Sequence, residues 1–466
     1  MNKGTDRNER RVVLRGGRVL SMDPVVGDFD AADVLIEGER IVEVGPGADA
    51  EGAEVVDAAG RIIIPGFVDT HRHMWQAAFR GLGADDSIGD YFTRFLNGIG
   101  PAATPEEVHL GTLLSAVSAL DAGVTTVLDT ANVQNSPAHT DAGVAALKES
   151  GLRAVFSYME SVRGTAPDAL HPVPGGLSTD VRRVRSELLH DDGALVRMAL
   201  SPGLWGDDET VRRDYALAAE LNVPATPHTG ATPQLPRPVS RLRELGVLRP
   251  GGVFIHGTGL DADEMRVIAD SGGAVSIAPA IEMIMGHGEP PFAAAAEAGL
   301  RPSLSTDVES TVGSDMFGPL RAAFQFARYQ AFCAAEHMAS ARDVGAMTVR
   351  DVLESATIAG ARALGLADRT GSITPGKQAD LVVLRTDRPG TAPVYDPYAT
   401  VVLSMDVGDV ETVLVAGRTV KRDGRLLRTD VPNLIEHAGR IRDRVRGREL
   451  GEGARCDPRN VRTVPG

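Results

Sequence analysis

Eight short apolar runs alternate with helical patterns through the middle of the chain, and this alternation restricts the fold more than any other feature. The runs span residues 61–68, 123–130, 152–161, 195–206, 223–230, 252–260, 273–280 and 301–308. Each is nearly continuously apolar, as strands covered on both faces are. Between them lie stretches with helical spacing, such as EEVHLGTLLSAVSALDA and VRRDYALAAELN. Eight strand–helix units predict an α/β chain built as a (β/α)8 TIM barrel. Alternating strand-like runs with Gly-containing turns occupy residues 11–45, and similar runs return at 379–387 and 410–427. Such runs read as hairpin strands, and the economical arrangement joins both chain ends in one small β-sandwich module. The expected division is 1–64 for the N-terminal part of that module, 65–370 for the barrel, 371–430 for its C-terminal part and 431–466 for a helical tail. The last barrel helix is expected as one element over 351–366.

Composition enters through what it excludes. No apolar run approaches the length of a membrane span, and the polar start MNKGTDRNERR has no apolar core or cleavage site of a signal peptide. Cys333 and Cys456 form no spaced framework, which fits a reducing compartment, so a cytoplasmic protein is expected. A net charge of −15 argues against nucleic acid and anionic membranes as partners and leaves a small-molecule substrate.

His71 and His73 are separated by one residue at the end of the first run. Strand side chains alternate faces, so both imidazoles point the same way, and paired imidazoles suit zinc, iron, nickel or copper. His228 closes the fifth run, His256 the sixth and Asp307 the eighth. In a TIM barrel the C-terminal strand ends build the active site, so these five groups are expected to meet around a metal. His109, His139, His171, His190, His337 and His437 fall in helices or loops between the strands and read as surface or structural.

With these residues in place, the chain resembles the amidohydrolase superfamily, nearest its cytosine deaminase and triazine hydrolase (ATZ/TRZ) branch. The resemblance rests on PGFVDTHRH at 65–73, GSITPGKQADLVVL at 371–384 and VLVAGRTVKRDGRL at 413–426, and it runs from about residue 12 to 427. It implies that His71, His73, His228 and Asp307 hold the metal. Other members bridge two metals with a modified lysine on strand four. The lysines here are Lys3, Lys148, Lys377 and Lys421, none near that strand, so one divalent metal is expected, zinc first and iron second. Three imidazoles and a carboxylate lower the pKa of a bound water toward neutrality. The resemblance further implies that Asp307 accepts that water's proton, that His256 orients the attacking group or polarises its target, and that Gln76 touches substrate. It also implies a homo-oligomer, a dimer or larger. Trp75 and Trp205 fall after strands one and four, where substrate stacking and core packing are both open.

One position departs from the pattern. Deaminases of this branch carry a glutamate three residues after the strand-five histidine, where this chain has Ala231. Two carboxylates are candidates to replace that proton carrier. Glu282 follows strand seven, where relatives more often have asparagine, and is the preferred one; Glu160 ends strand three. His287, in the Gly-flanked loop MGHGEPP, either contacts substrate or caps the loop. Taken together these features predict a metal-dependent hydrolase acting on a non-peptide C–N bond of a small cyclic amide, amidine or amino-heterocycle. Losing the glutamate removes a proton carrier typically worth ~10²–10⁴-fold and shifts weight from deamination toward amide or ring-opening hydrolysis. The alternatives are a deaminase of an aminated heterocycle, a decarboxylase or ring-cleaving enzyme, and a non-catalytic binding protein on the same scaffold. The presence of all four ligands counts against the last.

Overall fold

The computed structural model describes residues 10–161, 180–230, 235–335 and 338–451. Ala231, His171 and His337 lie outside these residues, as does the end of the chain after 451. The chain forms two compact units, Met1–Thr429 and Asp430–Gly466. The second contains the helix Val431–Gly451.

In the first unit, the chain ends share a sheet. From the N-terminal side come β1 (Arg11–Val19), β2 (Phe29–Glu37), β3 (Arg40–Gly45), β4 (Glu54–Asp57) and β5 (Ile62–Pro65). Next in the chain are β6 (Phe67–Arg72), β7 (Val124–Ala131), β8 (Arg153–Tyr158) and β9 (Val196–Leu200), then β10 (His228–Thr229), β11 (Val253–His256), β12 (Ala274–Ile277) and β13 (Ser303–Leu304). The C-terminal strands are β14 (Leu381–Leu384), β15 (Val410–Val415), β16 (Arg418–Arg422) and β17 (Arg425–Leu426). A nine-stranded sheet runs β17-β16-β15-β14-β5-β1-β2-β3, with β4 also paired to β1. Its centre joins the two ends of the chain: β5 and β14 pair antiparallel, Pro65 opposite Leu381 and Ile62 opposite Leu384.

The middle of the chain forms two parallel four-stranded sheets, β6-β7-β8-β9 and β10-β11-β12-β13. Parallel bridges extend both sheets at their outer strands, Leu200 to Ala225 and Arg72 to Asp307. Every residue of β6, β7 and β8 is buried, which is why these strands read as unbroken apolar runs rather than alternating ones. Helices such as Pro105–Asp121 and Pro137–Ser150 supply the crossovers that parallel strands require.

Two sequence expectations change. The run 61–68, read as one strand, is two: β5 belongs to the shared sheet and β6 to the parallel one. The switch is at Gly66, where an added Cβ would lie 2.1 Å from Thr125 Oγ1, so no larger residue fits. The helix expected over 351–366 is also two, Val349–Ser355 and Ile358–Ala363. Thr357 between them leaves helical dihedrals (φ −133°, ψ −95°), and its hydroxyl donates to the Leu353 carbonyl at 2.7 Å.

Candidate active site

His71 and Arg72 end β6, and alternation turns them to opposite sides. The Arg72 guanidinium is fully buried away from the histidines, donating to Asp69 Oδ2 at 2.8 Å and to the Ser314 carbonyl at 2.9 Å. His71 and His73 therefore face inward together, ring centroids 4.8 Å apart. Thr130, near the end of β7, seats both. Its hydroxyl meets His71 Nδ1 at 2.9 Å, and its carbonyl accepts from His73 Nδ1–H at 2.8 Å. His228 begins β10 with its ring centroid 4.9 Å from that of His71. His256 ends β11, and Asp307 follows β13. Both carry left-handed backbone, φ +68° and +69°, which non-glycine residues rarely adopt and which clusters at functional sites.

Asp307 is the hub. Its Oδ1 lies 3.0 Å from His71 Nε2 and 3.6 Å from His73 Nε2, and its Oδ2 lies 3.7 Å from His256 Nε2. Burial works to raise its pKa, but His71, bonded to it, together with His256 and His73 outweighs that and holds it well below the usual carboxylate range. His73 is pulled down to about 4, first by burial and then by His71. His228 is likewise held well below the usual histidine value, first by burial and then by its neighbour His71.

These facts test whether a metal fits. His73 Nδ1 faces a carbonyl and must carry the ring's proton, which leaves Nε2 a bare lone pair directed at a carboxylate. Two acceptors facing each other in a buried site need a cation between them, and burial disfavours a second proton on His73. His228 Nδ1 is buried and has no hydrogen-bond partner among the described residues. His71, His73 and Asp307 present ligand atoms within 4.8 Å of one another, as do His71, His228 and His256. The donor set fits a divalent ion.

The remaining residues expected at the site divide into two groups. Glu160, Trp205 and His287 line the pocket that opens on His73, His228, His256 and Asp307. Trp75 and Gln76 are buried and turned to other protein groups. Trp75 Nε1–H donates to Asn132 Oδ1 at 2.8 Å; the Gln76 amide donates to Tyr91 Oη at 2.6 Å and accepts from Ser310 Oγ at 3.0 Å. Glu282, expected on a loop, lies in the short helix Pro279–Ile284 and is fully buried. Its Oε1 lies 3.2 Å from His256 Nδ1 and accepts the Ala278 N–H at 2.8 Å, so it backs His256 rather than lining the pocket. Burial raises the Glu282 pKa against the opposing pull of His256. For His256, Glu282 and Asp307 outweigh burial and raise the pKa.

Several pocket residues gave no sequence signal. Tyr91 and Phe92 come from short helical turns after β6, and Asp214 comes from the helix Asp208–Glu220. Thr130 had one: it closes the second apolar run, at the strand end that feeds the site.

An imidazole–carboxylate cluster at the ends of parallel strands, facing a pocket with aromatic walls, is a site a metal-dependent hydrolase can use. The chain belongs to the amidohydrolase family, which it matches over residues 62–420. It is 31% identical over 432 residues to a 5'-deoxyadenosine deaminase of Methanothermobacter thermautotrophicus, covering 89% of this chain and 94% of that one. It superposes on an adenosine deaminase of Xanthomonas campestris with bound zinc, with a TM-score of 0.81 and 26% identity over 94% of this chain and 99% of that one. A variant of atrazine chlorohydrolase from Arthrobacter aurescens, complexed with zinc and atraton, shares the fold at 22% identity and a TM-score of 0.79, covering 92% and 99%. The protein is a metal-dependent hydrolase of C–N bonds acting on a small molecule, and its relatives fit the branch that its motifs resemble. Among the described residues no helix is long and apolar enough to cross a membrane.

Proposed function

We propose that the chain is a hydrolytic deaminase of an aminated nitrogen heterocycle, with an aminopurine nucleoside as the first substrate class to test. The observation that carries this reading is a pocket in which His73, His228, His256 and Asp307 face the rings of Tyr91, Phe92 and Trp205, suited to a flat heterocycle. Relatives named as deaminases, similar over about nine-tenths of both chains, support it against the weight of Ala231.

In this reading His71, His73, His228 and Asp307 hold one divalent metal, zinc before iron. When bound, the metal supplies Lewis acidity and brings a coordinated water's pKa toward neutrality. The net reaction adds water across the N=C–NH2 edge. The water oxygen bonds the ring carbon and the C–NH2 bond breaks; one water proton leaves in ammonia and the other ends on the ring nitrogen. Asp307 accepts the first proton. His256, with Glu282 at Nδ1 and Asp307 before Nε2, is favoured as imidazolium, so Nε2–H donates to the oxygen developing negative charge. Glu282, expected from sequence as proton donor to the leaving nitrogen, here acts through His256. Gln76 supports the wall through Tyr91, and Trp75 supports Asn132.

The finer architecture belongs to the same reading. The bridges Leu200–Ala225 and Arg72–Asp307 support closure of β6–β13 into a (β/α)8 barrel over 65–370, with the shared sheet curling into a β-sandwich module from 1–64 and 371–430. A cytoplasmic homo-oligomer completes it.

The test is an ammonia-release and mass-shift screen of the metal-loaded protein against aminopurines, aminopyrimidines, aminotriazines and cyclic amides. Deamination gives ammonia and a product heavier by about one mass unit, an amino group exchanged for a hydroxyl. A water adduct without ammonia establishes the second reading, amide or ring hydrolysis, which Ala231 favours.

A further inference from the structure

His287 stands apart among the pocket residues. Its ring is edge-on to His256, centroids 4.9 Å apart, and with His256 and Asp307 it presents polar atoms within 4.8 Å of one another. Both its ring nitrogens are closed to solvent, and neither has a hydrogen-bond partner among the described residues. Buried polar groups are almost always partnered, so a ring left with two open nitrogens beside a reaction centre marks a place for something the protein itself does not supply. The backbone that carries the ring is anchored. The His287 N–H donates to the Glu282 carbonyl at 3.0 Å, and Gly286 (φ +72°) turns the chain at the end of the helix Pro279–Ile284. Glu282 thus reaches both residues: its side chain backs the His256 ring, and its carbonyl anchors the His287 backbone.

Resting on the deaminase reading, we infer that His287 accepts a hydrogen bond from the leaving nitrogen and selects for substrates whose leaving group is an amine. The chemistry favours this role over proton donation. Neither ring nitrogen is hydrogen-bonded to a described acceptor that would hold a second proton, so the ring offers one N–H and one lone pair. The leaving nitrogen begins as a weakly polar aryl amine and must gain a proton before it departs. Its N–H groups then become cationic donors, and a neutral imidazole acceptor binds them more strongly than it binds the ground-state amine. An interaction that strengthens along the reaction acts on kcat rather than on KM. It acts most where the leaving atom has hydrogens of its own beyond the proton it receives: an amine has two, a methoxy oxygen none. His287 therefore offsets part of what this chain forgoes by having Ala231 where its branch has a glutamate.

The experiment compares the metal-loaded wild-type protein with His287→Leu and His287→Gln on two probes, a 6-aminopurine nucleoside and its 6-methoxy counterpart. His287→Leu is expected to lower kcat on the amine on the order of 10- to 100-fold, the scale of a hydrogen bond to a charged group, with KM and metal content close to wild type. The same variant should leave methoxy turnover within about 2-fold, well inside what one hydrogen bond contributes. His287→Gln, whose amide oxygen still accepts, should recover part of the loss. Equal losses on both probes overturn the inference by making His287 a general support of the site. Loss of metal from His287→Leu overturns it by making the residue a ligand. An unchanged kcat on the amine refutes the role of His287 and leaves the deaminase reading standing. Failure of the wild-type protein to release ammonia from any aminated heterocycle removes both.

Discussion

The buried pair Arg153–Asp380 joins the parallel strands to the shared sheet, and cutting it gives a measurable test of how tightly they are joined. Arg153 lies in β8 and Asp380 immediately before β14; their side chains are 1% and 0% exposed. The guanidinium donates twice, Nε to Oδ2 at 2.7 Å and Nη2 to Oδ1 at 3.0 Å. Asp380 Oδ1 also accepts the Ala416 N–H at 2.7 Å. Asp380→Ala leaves a cation and a backbone donor buried without partners. Breaking a buried pair from one side costs about 3–5 kcal/mol, because the surviving charge keeps its desolvation penalty without its compensation. At about 2 °C per kcal/mol, the lower end for sizeable domains, the thermal midpoint should fall by about 6–10 °C. The assay is thermal unfolding by circular dichroism, with urea unfolding as a second measure. The double variant Arg153→Met with Asp380→Leu removes both charges and should recover about half of the loss, short of about 1–3 kcal/mol for the orphaned Ala416 N–H. If Asp380→Ala falls by less than about 2 °C, the pair does not couple the two sheets and the reasoning fails.

Three further outcomes follow from the site and the fold. Elemental analysis should find about one divalent metal per chain, with His71→Ala or Asp307→Ala losing both metal and turnover; two equivalents per chain would contradict a single site. Glu282→Gln should keep metal and fold while kcat falls about 100-fold, since it removes the carboxylate that holds His256 protonated; a rise in KM alone would make Glu282 a substrate contact instead. Truncation before Gly371 removes β14, the antiparallel partner of β5, and should give insoluble protein, whereas a soluble, active product would show that the chain ends are independent.

The parallel strands were legible because strands buried on both faces leave continuous apolar runs, and the candidate ligands because they sit where such runs stop. His71 and His73 needed only the two-residue period of a strand. What stayed hidden depends on contacts between segments distant in sequence. The break at Gly66 has a local signal in the turn dipeptide Pro65-Gly66, but apolar residues flank it on both sides, and only the approach of Thr125 from the next strand makes it a switch between sheets. Glu282 reads as a loop carboxylate able to reach the leaving group because a six-residue helix carries too few turns to show periodicity, and nothing local says that its side chain turns inward to His256. Trp75 and Gln76 flank the motif in sequence, yet their partners Asn132, Tyr91 and Ser310 turn them away from the pocket.

The strained backbone at His256 and Asp307 explains why the site depends on the strands meeting, rather than on any one of them. A left-handed conformation at a non-glycine residue costs of order 1–3 kcal/mol, and it persists only where the surroundings over-determine it. At Asp307 that determination comes from β6: the Asp307 N–H donates to the His71 carbonyl at 3.0 Å, and the Asp307 carbonyl accepts from the His73 N–H at 2.9 Å. The two histidines that meet the carboxylate through their side chains therefore also clamp its backbone. At His256 it comes from β10, because the next residue, Gly257, donates its N–H to the Thr229 carbonyl at 2.8 Å, one residue after His228. Each strained residue is held by the strand that carries another member of the cluster. Strand pairing thus sets the site geometry, and a substitution that loosened the β6 contact with Asp307 would dismantle the cluster even with every ligand still in the sequence.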